Sequence, residues 1–245
     1  MNRRVRILLL SIIILLTTGL IAFTTNKDSI DDQILSYTVD TKTQDLQLYW
    51  KNDSGKILGT IKNLKTYVES KNMTLLFAMN AGMFKKDYSP QGLFIQNKKT
   101  LSPSDTSNGN GNFYLKPNGI FYITTDNIPF VCKTANFSDK GNIKYATQSG
   151  PMLIIDGKIH SAFKEGSANL NIRNGVGILP DNKIIFAMSK KEINFYDFAK
   201  YFQSLGCKNA LYLDGFVSRT YLPEKQWTET DGNFGVMIGV TKKAN

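Results

Sequence analysis

Histidine is nearly missing from this 245-residue chain, where His160 stands alone, and cysteine is limited to Cys132 and Cys207. A structural zinc site needs about four nitrogen or sulfur donors at close spacing, so that class of metal site is excluded. A serine–histidine–aspartate relay would have to rest on His160. That residue follows the turn in Ile154-Ile155-Asp156-Gly157-Lys158-Ile159, on a strand pattern without a nucleophile elbow, so a surface or edge-strand histidine is expected. The two cysteines either pair or remain two separate buried thiols; their positions in the chain do not choose. Arginine is scarce as well, since beyond Arg6 only Arg173 and Arg219 occur. With 7 Pro, 19 Gly, 42% hydrophobic and 20% charged residues, the composition excludes a collagen-like repeat, a disordered tail and a multi-span membrane protein.

The formal net charge is +10, or +7 once Arg3, Arg4 and Arg6 are set aside. Lysine is spread through turns and strand ends rather than gathered in a stripe interleaved with aromatics, which argues against nucleic acid as partner. Acidic sugars, teichoic-type polymers or an anionic lipid surface suit the sign of the charge. Ile7 to Phe23 is an uninterrupted uncharged run behind three arginines, followed by Thr24-Thr25-Asn26-Lys27-Asp28. Residues 1–28 therefore read as a signal peptide or a signal-anchor helix, with the basic flank staying cytoplasmic and membrane contact through residues 7–23. The remainder, 29–245, is long enough for one domain working outside the cytoplasm, secreted or anchored.

Strand signals dominate that domain. Gln33–Val39 and Leu46–Trp50 open it, and Ile57–Lys71 places Ile61, Leu64, Tyr67 and Val68 at helical spacing. Further strands are expected at 74–79, 93–96, 113–115, 120–124, 129–132, 152–155, 176–179, 183–188, 210–213 and 234–240. A second helix fits Tyr196–Leu205, with Gly206 as its stop. The expected fold class is α+β: a single β-rich domain of mixed sheet with few flanking helices, preceded by one N-terminal hydrophobic helix.

Four polar, glycine-containing segments sit at strand mouths. Asn80-Ala81-Gly82 ends an apolar strand with an amide and bare backbone, although Asn-x-Gly is also an ordinary turn. Gln148-Ser149-Gly150-Pro151 precedes the apolar run 152–155 and offers donors there, or serves as a simple connecting turn. Arg173-Asn174-Gly175-Val176-Gly177 carries a guanidinium, whose planar fork suits two-point contact with phosphate or carboxylate oxygens; a surface salt bridge is the other reading. Asp214 closes the apolar strand 210–213, followed by Gly215, Ser218 and Arg219. A carboxylate there is costly to desolvate unless it pairs, binds a ligand or titrates, and capping the next turn is the plain alternative. Ser107-Asn108-Gly109-Asn110-Gly111-Asn112 leads toward a strand-like segment rather than a helix and reads as a turn, not a phosphate loop.

The order Asn-Ala-Gly-Met-Phe with Pro90-Gln91-Gly92-Leu93, Gln-Ser-Gly-Pro with Asp156-Gly157, Arg-Asn-Gly-Val-Gly, then helix, Leu-Gly206 and Leu-Asp-Gly resembles the phosphodiester glycosidase family over about residues 33–242, most like its short bacterial branch. Phe216 stands where the family's second glycine is common. The resemblance implies hydrolysis of a sugar-1-phosphodiester at its glycosidic bond, with a cell-envelope glycan or teichoic-type polymer as a candidate substrate. It points to Asn80, Gly82, Gln148, Ser149, Gly150, Pro151, Arg173, Asp214, Gly215 and Ser218 as the ligand pocket; the chemistry of such a cleavage then assigns Asp214 and Arg173 as catalytic residues and adds Arg219 to the substrate-binding ones. Arg173 would clamp the phosphate with Arg219 in reserve. Asp214 would activate water or stabilise the sugar cation, while Asn80 and Gln148 would orient the sugar or phosphate. Asp87, Asp156, Asp181 and Glu165 leave a second carboxylate open. No cofactor is required by the pattern, and Ca²⁺ through oxygen ligands stays open. Two other classes remain: a membrane-tethered module that binds glycans without cleaving them, and a metal-dependent phosphodiesterase cutting the P–O bond.

Overall fold

Side chains that alternate around one shared core set most of the strands. In the computed structural model, which describes residues 30–244, β1 (Ile34–Val39) turns Leu35, Tyr37 and Val39 inward, β2 (Asp45–Tyr49) Leu46 and Leu48, and β3 (Met73–Asn80) Phe77 and Met79. The expected leader at 1–28, with its apolar run 7–23, lies outside the described residues. Among the described residues no helix is long and apolar enough to cross a membrane.

The chain continues through β4 (Phe94–Gln96), β5 (Lys99–Ser102), β6 (Gly119–Thr124), β7 (Pro129–Lys133), β8 (Ile143–Ser149), β9 (Met152–Ile155) and β10 (Lys158–Ile159). Then come β11 (Asn174–Ile178), β12 (Ile184–Ser189), β13 (Ala210–Tyr212), β14 (Thr220–Leu222), β15 (Trp227–Thr228) and β16 (Met237–Lys243). These strands form three sheets with orders β1-β12-β11-β13-β9-β10, β15-β14-β3-β16-β2 and β5-β4-β8-β6-β7. Their inner faces meet in a single core. Phe186 of the first sheet stacks on Phe77 of the second at 5.5 Å and meets Phe121 of the third edge-on at 5.8 Å.

Two helices cover outer faces. Helix α1 (Ile61–Glu69) is capped by Thr60, whose side chain accepts from the Asn63 N–H, and buries Ile61, Leu64 and Val68 against Tyr49, Leu75 and Met237. It starts later than its apolar spacing implies, because Leu58 N–H donates to the Trp50 carbonyl and keeps residues 57–58 in a hairpin. Helix α2 (Phe195–Ser204) is capped by Asn194 and ends at Gly206, whose φ of +77° is the left-handed stop that glycine supplies. Gly177 lets it lie close to the sheet, since a Cβ there would sit 2.8 Å from Phe202.

The α+β class with few helices stands, but the expected mixed sheet does not: among the described residues every strand pairing is antiparallel. Each helix does connect two strands running the same way. β16 is inserted between β2 and β3, and β11 between β12 and β13, so no two parallel strands become neighbours. Residues 113–115 are not a strand either; Asn112–Tyr114 is a 3-10 turn that buries Phe113. β8, a central strand of the third sheet, has no counterpart in the apolar pattern because Thr147, Gln148 and Ser149 are buried polar residues.

His160 follows edge strand β10 yet is only 3% exposed, which corrects the surface placement. Its ring stacks on Phe163, Nε2 meets the Lys116 carbonyl at 3.0 Å, and Nδ1 accepts from the Ala162 N–H. Both nitrogens thus have backbone partners, and burial lowers its pKa. Cys132 and Cys207 are two free thiols, pushed up by burial to about 11 and about 12.

Candidate active site

The four polar segments converge because the ends of β3, β11 and β13 are knitted together by backbone and amide hydrogen bonds. Tyr212 N–H donates to the Pro151 carbonyl, Leu213 N–H to Asn174 and Asp214 N–H to Ala81. The Asn80 amide Nδ2 donates to the Asp214 carbonyl at 2.6 Å, and its Oδ1 accepts from the Arg219 N–H at 3.1 Å and from Asn174 Nδ2 at 3.0 Å. One asparagine therefore ties the loop after β13 to the start of β11.

Gly82 is required for this closeness, as a Cβ there would collide with the Thr147 hydroxyl and the Gln148 carbonyl. Gly150 is packed similarly, since a Cβ there would lie 2.6 Å from the Asn118 side chain. A Cβ on Gly215 would strike the Tyr212 hydroxyl.

Asp214 is partly buried, and among the described residues nothing hydrogen-bonds its carboxylate. Burial alone raises its pKa to about 6. Next to it, the Tyr212 phenol is raised to about 12, chiefly by burial, while Arg173 pulls it down and Asp214 pushes it up.

Arg173 is 1% exposed. Its Nε donates to the Ile193 carbonyl at 2.7 Å, Nη2 donates to the Asn169 carbonyl at 2.8 Å, and the guanidinium carbon lies 3.6 Å from the Phe195 ring centroid. No carboxylate neutralises it among the described residues, and desolvation lowers its pKa. Beside it, Asn169, Phe163, Phe195 and Lys164 line a cleft of about 210 Å³.

The other expected site residues divide by how their polar atoms are used. Gln148 is fully buried; its Oε1 accepts from the Leu93 and Asp105 N–H groups, and its Nε2 donates to the Asp105 carbonyl and the Thr134 hydroxyl. Both Gln148 and Asn80 thus hold the frame rather than pointing a free amide outward. The Arg219 guanidinium is paired with Asp231 at 3.0 Å and lies 3.9 Å from Glu229. Ser149 and Ser218, by contrast, are buried with hydroxyls that have no partner among the described residues.

Asn174, Tyr212, Asn169 and Glu229 escaped the sequence reading. The signal for Asn174 was present, a polar residue between Arg173 and Gly175 at a strand start, but its partner Asn80 is 94 residues away. Asp156 faces Lys133, Asp181 faces Lys183 and Asp87 bonds Ser89, so all three hold turns or surface pairs. Glu229 instead accepts from the Thr220 N–H and Trp227 Nε1 next to Arg219. Among the described residues no three His, Cys, Asp or Glu side chains gather as a metal site.

Comparisons with known proteins bear on this arrangement. The chain is 35% identical over 211 residues to the uncharacterised protein YigE of Escherichia coli K12, covering 86% of this chain and 82% of that one. Its fold is similar to the zebrafish N-acetylglucosamine-1-phosphodiester alpha-N-acetylglucosaminidase catalytic domain auto-inhibited by its pro-peptide, with a TM-score of 0.55, 14% identity and coverage of 85% and 88%. A hypothetical protein from Synechocystis matches with a TM-score of 0.53 and 14% identity, covering 85% of this chain and 59% of that one. The sequence profile of the phosphodiester glycosidase family, NAGPA, matches residues 73–241, and the chain belongs to that family.

Proposed function

We propose that this protein is an extracytoplasmic hydrolase that cleaves the glycosidic bond of a sugar-1-phosphodiester, with a cell-envelope glycan or teichoic-type polymer as substrate class. The observation that carries the reading is Asp214: a carboxylate that nothing among the described residues hydrogen-bonds, its pKa raised to about 6, at the point where four polar segments meet. Membership of the family supports the reaction class. The basic flank and apolar run at 3–23 support work outside the cytoplasm, either secreted or tethered.

A phosphate ester leaves more readily than an ordinary alcohol, so protonation of the leaving oxygen matters less than stabilising charge as the C1–O bond breaks. Asp214, ionised above its pKa, would face the developing positive charge at the anomeric carbon or take a proton from the attacking water. Arg173 would supply positive potential for the departing phosphate, because its charge is buried without a carboxylate partner. Arg219 would serve the same end only by loosening its pair with Asp231. Asn80 and Gln148 would act by position, fixing the Asp214 loop and the 102–107 segment. No step in this scheme passes through a metal ion.

The direct test is turnover of a panel of sugar-1-phosphodiesters by the full chain and by Asp214→Asn. Release of free sugar and phosphate monoester by the parent, lost by about 100-fold or more in Asp214→Asn, is the expected result. Undiminished turnover in folded Asp214→Asn would remove Asp214 from the chemistry.

A further inference from the structure

Among the described residues three buried side-chain oxygens have no hydrogen-bond partner: Ser149 Oγ, Asn174 Oδ1 and Ser218 Oγ. Their residues are at most 3% exposed. Buried polar atoms are rarely left unpaired, because the water they give up is not replaced. Here all three lie on segments stitched around Asp214. Asn174 bonds Asn80, Ser218 precedes the Arg219 N–H that bonds Asn80, and Ser149 precedes the Gly150-Pro151 segment whose carbonyl receives Tyr212.

The orientation of the Asn174 amide is settled by chemistry. Its Nδ2 faces two acceptors, the Asn80 carbonyl at 3.1 Å and Asn80 Oδ1 at 3.0 Å. Asn80 Oδ1 in turn faces the Arg219 N–H, and Asn80 Nδ2 faces the Asp214 carbonyl, so neither amide can turn over without opposing acceptor to acceptor. Asn174 Oδ1 is therefore an acceptor held in place with nothing to accept.

An ionised phosphodiester has no hydrogen to donate, whereas sugar hydroxyls and amide N–H groups do. We propose that Asn174 Oδ1, together with the Ser149 and Ser218 hydroxyls, seats the sugar ring of the substrate through one of its neutral hydrogen-bond donors. The phosphodiester then lies away from the Asn80–Asn174 pair, on the Arg173 side. This inference rests on the glycosidase reading for the identity of the ligand, and it makes Asn174 a specificity-determining residue.

The test is calorimetric binding of hexose 1-phosphates and matched monodeoxy hexose 1-phosphates to the full chain, with inorganic phosphate as the control. Ser149→Ala and Ser218→Ala should fold with unchanged or higher thermal midpoints, since each removes an unpartnered buried hydroxyl, yet bind the hexose 1-phosphate about tenfold more weakly with phosphate affinity unchanged. In the parent, one monodeoxy probe should lose about tenfold or more, and that penalty should shrink in Asn174→Ser. Lower stability with unchanged sugar affinity in the serine variants would make these atoms structural and overturn the proposal. So would an equal loss of phosphate affinity, or failure of every hexose 1-phosphate to bind the parent. The expected binding pattern without any turnover of phosphodiesters would sink the glycosidase reading and leave this subsite standing.

Discussion

Arg173 and Asp214 stand just beyond the paired strands β11 and β13, and among the described residues they form no ion pair. β11 and β13 run antiparallel with Gly175 opposite Tyr212, and continuing that register sets Arg173 opposite Asp214 just past the strand ends. The Tyr212 phenol is sensitive to both charges. Yet Arg173 directs Nε and Nη2 to the Ile193 and Asn169 carbonyls, and burial alone governs Asp214. Tyr212 thus senses a cation and a carboxylate that do not neutralise each other, the arrangement on which the proposed stabilisation of an anionic leaving group and a cationic sugar centre rests.

Asp214 should weaken the fold at the pH where it works. Its folded pKa of about 6 lies above the ordinary aspartate value of 3.8, so the native state holds this proton more tightly than the unfolded chain. Stability from this group is present below about pH 4 and lost as pH rises through 6, by at most about 3 kcal/mol given its partial exposure. Asp214→Asn should therefore be more stable than the parent at pH 8, with the gain vanishing near pH 4. Denaturant titrations at both pH values check this, and a variant less stable at pH 8 would contradict the unpaired carboxylate.

Turnover should follow the same group with a definite sign. If Asp214 acts ionised, kcat/KM rises tenfold per pH unit below about 6 and levels off above it. A limb falling with pH in that window would make Asp214 an acid instead.

Gln148 should prove a brace. Truncation to Ala leaves the Leu93 and Asp105 N–H groups facing a buried gap, which costs about 2–4 kcal/mol. Urea unfolding reads the loss, and limited proteolysis should open the 103–107 segment first. An unchanged urea midpoint would return Gln148 to the list of free ligand-facing amides.

Arg173→Lys should fail as a conservative change. Lysine retains the charge but not the Nε contact with Ile193 or the planar stack on Phe195. We expect a loss of about 1–3 kcal/mol and a KM for phosphodiester raised about tenfold. Parent-like stability and KM would mean that only the charge matters there.

Much of this site was legible because glycine and polar residues at strand mouths are conspicuous against apolar runs: Asn80, Gly82, Arg173 and Asp214 all stood out that way, and their order carried the family resemblance. What the chain hides is which polar atoms are spent internally. Asn80 and Gln148 look like ligand amides in sequence and are bonded within the fold, while Asn174, whose Oδ1 has no partner among the described residues, is inconspicuous in sequence beside an arginine. β8 was hidden for the same reason, since Thr147, Gln148 and Ser149 read as loop until the third sheet closes around them. The antiparallel sheets were also beyond local pattern, because β16 reaches its place between β2 and β3 from the far end of the chain. Short strands β14 and β15 lack the length for a periodic signal.

The central claim is that the bond broken joins the sugar to its phosphate oxygen. Hydrolysis of a sugar-1-phosphodiester in ¹⁸O-water, followed by mass spectrometry of both products, tests it most directly. The account predicts label on the sugar's anomeric hydroxyl and none on the phosphate monoester; label on the phosphate would mean P–O cleavage and contradict it.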